Sequence, residues 1–137
     1  MRLDHIGIAV KSIAASRKFY EGGLKLRAFP QVEEVAGEKV KVLKLDLEPG
    51  LHIELLEATS PDSAVAKFIE KRGEGMHHLC YAVDDVVAAT HELEMRGFVP
   101  IWAEPHVGAG GCLVNFFHPK ETFGVLTELS QPPVSGN

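Results

Sequence analysis

The 137 residues carry a net charge of −5, with 45% hydrophobic and 24% charged side chains, the balance of a soluble globular chain long enough for one real core. No basic cluster stands out, which argues against a nucleic-acid partner, and no apolar run approaches the roughly 20 residues that span a bilayer, so no membrane association is expected. The chain enters its first strand without a signal-peptide pattern, and Cys80 and Cys112 lack a close-spaced motif; two buried thiols in a reducing cytoplasmic setting are the expectation.

Taken in order, Arg2 to Val10 alternates, with Ile6, Ile8 and Val10 on one face and His5, Gly7 and Ala9 on the other. The apolar face should pack against a helix, and the small residues around the imidazole leave space for a ligand. Ser12 is placed to cap a helix running to about Tyr20, which Glu21-Gly22-Gly23 ends. Leu24 to Val35 reads as a strand, Gly37 breaks the pattern, and Lys39 to Leu47 alternates again. Pro49-Gly50 then turns the chain into an antiparallel return strand over Leu51 to Glu57. Ser63 and the run from Ala64 to Ile69 predict a short capped helix between two halves.

The second half repeats the order: a strand over Met76 to Val83, a helix from about Asp85 to Arg96 closed by Gly97, and a strand over Phe98 to Trp102. The segment from Pro105 to Gly111 reads as a flexible loop. Strands are expected over Leu113 to Phe117 and Gly124 to Leu129, separated by a turn at His118 to Thr122, with a frayed tail from Gln131 to Asn137. The order βαβββ thus occurs twice, over about residues 2–57 and 76–130, within a single domain spanning 1–137. The expected fold class is α+β, with paired βαβββ modules forming a curved half-barrel sheet and helices outside.

The duplication is also visible residue by residue. At an offset of 73, His5 falls on His78, Ala9 on Ala82, Val10 on Val83 and Ser12 on Asp85. Glu54 answers Glu128, so each half holds a histidine on its first strand and a glutamate on its last, 49 residues apart in one and 50 in the other. A carboxylate between apolar strand neighbours is costly to bury unless paired or metal-bound. A single such glutamate on a solvated sheet face would need no explanation. Two, each matched with a histidine at nearly the same spacing, point to one metal site shared by the halves.

Two imidazoles and two carboxylates leave open positions on an octahedral divalent ion. That donor set suits Co²⁺, Mn²⁺, Ni²⁺ or Fe²⁺ better than a closed structural zinc site. The other histidines are weaker candidates. His77 points opposite to His78, His52 shares a face with Glu54, and His91, His106 and His118 are expected to face solvent.

Four segments carry a family resemblance: Asp4-His5-Ile6-Gly7-Ile8-Ala9-Val10; His52-Ile53-Glu54-Leu55-Leu56-Glu57; Pro61-Asp62-Ser63 on to Gly73-Glu74-Gly75-Met76-His77-His78; and Glu104-Pro105 through Gly108-Ala109-Gly110-Gly111 and His118-Pro119-Lys120 to Gly124-Val125-Leu126-Thr127-Glu128-Leu129. Over about residues 2–130 the chain resembles the vicinal oxygen chelate (glyoxalase/bleomycin resistance) superfamily, and within it the methylmalonyl-CoA epimerase family. The resemblance implies a metal held by His5, Glu54, His78 and Glu128, most readily Co²⁺, and a small acyl-CoA thioester as substrate. It implies interconversion of (2R)- and (2S)-methylmalonyl-CoA by removal of the C2 proton and stabilisation of the enolate, in a cytoplasmic homodimer. Some members of the group place a separate glutamate on the strand after a Glu-Gln-Gly segment. This chain reads Val35-Ala36-Gly37-Glu38-Lys39-Val40 there, with Val40 at the strand position. The two proton-transfer roles are therefore assigned to Glu54 and Glu128, with Glu38 in reserve.

The competing readings are a glyoxalase I-like lactoylglutathione lyase, which uses the same ligand set, and a metal-free binding module. The Gly-Ala-Gly-Gly loop and the His-Pro-Lys turn favour the epimerase over the lyase. Retention of all four ligands speaks against the binding module.

Overall fold

A computed structural model describes residues 1–133. The chain divides into two compact units, one over His5–His77 and the other from His78 onward together with the first four residues. Each is built the same way.

In the first unit, β1 (Arg2–Ala9) runs parallel to β5 (Leu51–Ala58) from His5 onward, and β4 (Val40–Glu48) is antiparallel to β5. The short strands β2 (Arg27–Ala28) and β3 (Glu33–Val35) both pair with β4. In the second, β6 (Gly75–Ala82) runs parallel to β9 (Thr127–Gln131), β8 (Leu113–Phe117) is antiparallel to β9, and β7 (His106–Val107) pairs with β8. The fold class is α+β.

The apolar faces pack as the alternation predicts. Val10, Ile13, Leu43, Leu45, Ile53 and Leu55 form one core with Ile8 and Tyr20 against it. Val86, Phe117 and Leu129 form the other, with Tyr81, Val83 and Leu93 packed on them. Burying a side chain of this size is worth about 1.5–3 kcal/mol. The opposite faces carry Glu54 among buried Val40, Val42 and Leu56, and Glu128 beside buried Val114 and Phe116.

Both helices that follow a first strand start on the residue expected. Ser12 caps α1 (Ile13–Arg17) by accepting from the Ala15 N–H at 3.1 Å, and Asp85 caps α3 (Val86–Met95) by accepting from the Ala88 N–H at 3.0 Å. The linker helix α2 (Ala64–Arg72) is capped by Ser63 and ends at Gly73, whose φ of 80° is the left-handed region open to glycine. The first helix differs from expectation beyond Arg17, where it widens into a π-helix over Lys18–Gly23.

Four other expectations need correction. The single strand foreseen over 24–35 is two short strands, because Pro30 has no N–H to offer the ladder and Lys25 turns the chain at a φ of 62°. Phe98 to Trp102 makes one bridge, Pro100 to Phe117, rather than a strand. There Asn115, fully buried, takes the place of a ladder: its Oδ1 accepts from the Trp102 N–H at 3.3 Å and its Nδ2 donates to the Trp102 carbonyl at 3.0 Å. The loop over 105–111 contains the short strand β7 and a 3-10 turn, Ala109–Gly111. The last strand begins three residues late, at Thr127, since the hydroxyls of Thr122 and Thr127 both occupy the Val125 carbonyl. It also runs on through Gln131, so the tail expected from 131 starts later, and its residues 134–137 lie outside the described ones.

Candidate metal centre

Strand register decides which side chains share a face. In the parallel pair of β1 and β5, His5 lies beside His52 and Gly7 beside Glu54. His5 and Glu54 are thus one residue out of line on the same face, and the missing side chain of Gly7 leaves the carboxylate room. His5 Nδ1 stands 3.4 Å from Glu54 Oε2. In β6 and β9, Cys80 lies beside Glu128, which puts His78 on the same side, and His78 Nε2 stands 3.0 Å from Glu128 Oε1. Each unit therefore holds one histidine–glutamate pair, from equivalent strands.

Burial separates these pairs from ordinary surface ion pairs. His5, Glu54, His78 and Glu128 are 4%, 6%, 5% and 6% exposed, too little for solvent to satisfy a carboxylate. The short contact to an imidazole is what makes burial tolerable. The donor chemistry also fits a divalent ion. Two ligand atoms about 2.1 Å from one ion stand about 3.0 Å apart at a right angle, so both separations suit neighbouring ligand positions. Imidazole nitrogen with carboxylate oxygen is the set that Co²⁺, Mn²⁺, Ni²⁺ and Fe²⁺ accept.

The remaining candidates divide as follows. His52 joins the first pair, with Nε2 at 2.9 Å from Glu54 Oε2. His77 turns away from it, its ring edge-on to Phe68 at 4.9 Å. His91 and His118 are exposed as expected. His106 is exposed but stacks on Trp102, with ring centroids 3.8 Å apart. Glu38 sits in a 3-10 turn, Ala36–Glu38, just ahead of β4, while Val40 lies across from Ala58 on the face that carries Glu54. Of the two cysteines, Cys80 is buried as expected and Cys112 is partly exposed; both are free thiols.

Sequence reasoning missed three residues here. Phe116 pairs with Glu128 in β8 and β9, and its ring stands at right angles to both His78, at 5.6 Å, and Trp102, at 5.4 Å. Phe116 and Trp102 thus form a wall that fixes the His78 ring. Glu33 lies across from Val42, which lies across from Leu56, so a third carboxylate stands on the face of Glu54. Reading 24–35 as one strand hid its side, because the strand that carries Glu33 is only three residues long.

The comparisons with known proteins agree with this architecture. The ethylmalonyl-CoA/methylmalonyl-CoA epimerase of Cereibacter sphaeroides is 38% identical over 133 residues, covering 95% of this chain and 97% of that protein. The human mitochondrial methylmalonyl-CoA epimerase is 35% identical over 131 residues, covering 95% of this chain and 73% of that one. Among solved structures, a variant of the Streptomyces coelicolor methylmalonyl-CoA epimerase in complex with 2-nitronate-propionyl-CoA superimposes with a TM-score of 0.91 at 35% identity, covering 98% of this chain and 99% of that one. The family model of the glyoxalase/bleomycin resistance protein/dioxygenase superfamily matches residues 4–116, most of the chain with the first histidine–glutamate pair and His78 inside the match. On that match and those identities, this chain belongs to the glyoxalase/bleomycin resistance protein/dioxygenase superfamily.

Proposed function

We propose that the chain interconverts (2R)- and (2S)-methylmalonyl-CoA. The observation that carries this reading is a buried histidine–glutamate pair at equivalent places in both halves of a chain that matches methylmalonyl-CoA epimerases along nearly its whole length. His5, Glu54, His78 and Glu128 would together hold one divalent ion, most readily Co²⁺, with Mn²⁺, Ni²⁺ or Fe²⁺ also suited to the donors. When bound, that ion supplies Lewis-acid polarisation of a substrate carbonyl.

The chain's own residues do the rest. The C2 proton lies between a thioester carbonyl and a carboxylate, so its removal leaves a delocalised enolate. Inversion requires a proton to leave one face and return to the other, hence two acid/base groups flanking the carbon. Glu54 and Glu128 are assigned these roles, each held by its histidine. Buried side chains on the same faces, Leu56 two places from Glu54 and Phe116 across from Glu128, limit the water that reaches them.

A lactoylglutathione lyase would use the same four donors, and the epimerase relatives favour the acyl-CoA reading over it. Purified chain supplied with Co²⁺ should exchange the C2 proton of methylmalonyl-CoA and interconvert its epimers, while leaving a glutathione hemithioacetal unchanged. Turnover of the hemithioacetal alone would reverse the assignment.

Two further properties belong to the same reading. The chain acts in the cytoplasm, in keeping with free thiols at Cys80 and Cys112 and with no helix long and apolar enough to cross a membrane among the described residues. It works as a homodimer, since Val107 on the edge strand β7 is 65% exposed, and Val99 and Ile101 before it are 65% and 46% exposed. Light scattering at micromolar concentration should give twice the 14.9 kDa of one chain, and a clean monomer would refute it.

A further inference from the structure

His52 is the histidine that the duplication leaves unexplained. The residue two places before Glu54 is an imidazole, whereas the residue two places before Glu128 is Leu126. On a strand, residues two apart share a face, so His52 is bound to stand beside Glu54. Its Nε2 lies 2.9 Å from Glu54 Oε2, shorter than the 3.4 Å between that oxygen and His5 Nδ1. The ring is held from two sides, 4.9 Å from the His5 ring and 6.4 Å from the Phe29 ring. It cannot swing away without losing both contacts.

We propose that His52 is a positioning residue for Glu54: it donates its Nε2–H to Oε2 and fixes the carboxylate in the orientation that meets a divalent ion. This rests on the metal-centre reading above and adds a difference between the halves. A carboxylate oxygen has two lone pairs, so accepting from His52 leaves Oε2 able to interact further. Without that bond the carboxylate keeps only the longer contact to His5, at 3.4 Å, and ordering it would weaken ion binding. Outer hydrogen bonds to metal ligands typically carry 10–100-fold in affinity. The duplicated donors, His5 with Glu54 and His78 with Glu128, form the ligand set, and His52 stands behind one of them.

The test uses the full-length protein stripped of metal and titrated with Co²⁺ against a competing chelator, read by visible absorption. His52→Leu, which copies Leu126, should weaken Co²⁺ binding by about 10–100-fold. His52→Gln, whose amide still donates a hydrogen bond, should recover most of the loss. Thermal melts of the metal-free variants, unchanged from the parent, would separate this from misfolding. The cobalt form of the parent should show two imidazole N–H signals with the large through-bond contact shifts of metal-bound rings, and His52→Leu should keep both. Leucine binding Co²⁺ as tightly as the parent, or glutamine binding no better than leucine, would overturn the proposal while leaving the metal centre intact. Three signals with the large through-bond contact shifts of metal-bound rings in the parent, falling to two in His52→Leu, would make His52 a ligand and overturn it as well. A parent protein that takes up no Co²⁺ would remove the metal centre and this role together.

Discussion

Glu57 and Gln131 do the same work in the two halves. The Glu57 Oε1 accepts from the Ile13 N–H at 2.7 Å, and the Gln131 Oε1 accepts from the Val86 N–H at 2.9 Å. Ile13 and Val86 are the first residues of α1 and α3, whose N–H groups have no partner within the helix. Both donors belong to buried residues, so each bond replaces one that water could not readily supply. Removing it by Glu57→Ala should cost about 1.5–3 kcal/mol, since the acceptor is charged, and Gln131→Ala about 0.5–1.5 kcal/mol. Urea unfolding with unchanged m-values would measure both, and Glu57→Gln should fall between alanine and the parent. Equal midpoints for all four proteins would show that neither bond matters.

Metal removal should abolish epimerisation, and Co²⁺ or Mn²⁺ should restore it. His78→Ala should lose bound metal with the fold retained, because Phe116 and Trp102 still close that side of the sheet. Elemental analysis decides the matter. Stoichiometric metal in His78→Ala would exclude His78 as a ligand.

Replacing Glu54 or Glu128 with glutamine keeps an oxygen donor and removes most of its basicity. Metal should stay, bound more weakly. Epimerisation needs both faces of C2, whereas exchange with solvent needs only one. Each variant should lose epimerisation by at least about 10²-fold, the lower end for a general base, yet still exchange one epimer in D₂O. The two variants should prefer opposite epimers, as followed by NMR of the C2 position. If both retain near-normal epimerisation, the base lies elsewhere, and Glu38 and then Glu33 are the residues to change.

Away from the centre, Asp62 offers a test of local electrostatics. A hydrogen bond from Lys39 and a second from Ser60 lower its carboxyl from the ordinary 3.8 to about 2. A depressed carboxyl stabilises the fold above its unfolded value, so the contribution is whole above pH 3.8 and fades as pH falls through about 2. Carbon-13 titration should place the Asp62 midpoint near 2, and Lys39→Met should move it back towards 3.8. A midpoint that ignores the substitution would mean that Lys39 is not the cause.

Much of this architecture is written in local pattern. The ligand candidates could be read because period-two alternation puts His5 opposite Ile6 and Ile8, and because the same pattern recurs with His78. Ser12, Ser63 and Asp85 announced their helices because capping is a matter of one short side chain and one backbone N–H. What failed was long-range. Nothing near Phe98 to Trp102 reveals that Asn115 will satisfy Trp102 in place of a strand, since the partner is thirteen residues away. Gln131 looked like tail for the same reason: its acceptor role depends on Val86, 45 residues earlier. Glu33 was hidden because 24–35 reads as one strand, whereas the strand that carries it is only three residues long.

The arrangement around Asn115 fastens residues 98–102 to the sheet by single contacts rather than by a continuous ladder. Trp102 is tied at both its N–H and its carbonyl to a single amide, beside the Ile101 N–H donating to the Phe116 carbonyl at 2.7 Å and the Pro100 bridge to Phe117, whereas β8 and β9 pair along their whole length. Local opening at such contacts requires far less than global unfolding, and amide exchange at Trp102 should be faster than at Leu129, which is locked in the central ladder. Because Trp102 also stacks on His106 and buttresses Phe116, lifting that segment would loosen the wall beside His78 while its strand stayed in place. The Asn115 amide therefore bears on the His78 ring through Trp102 and Phe116, two rings away from it.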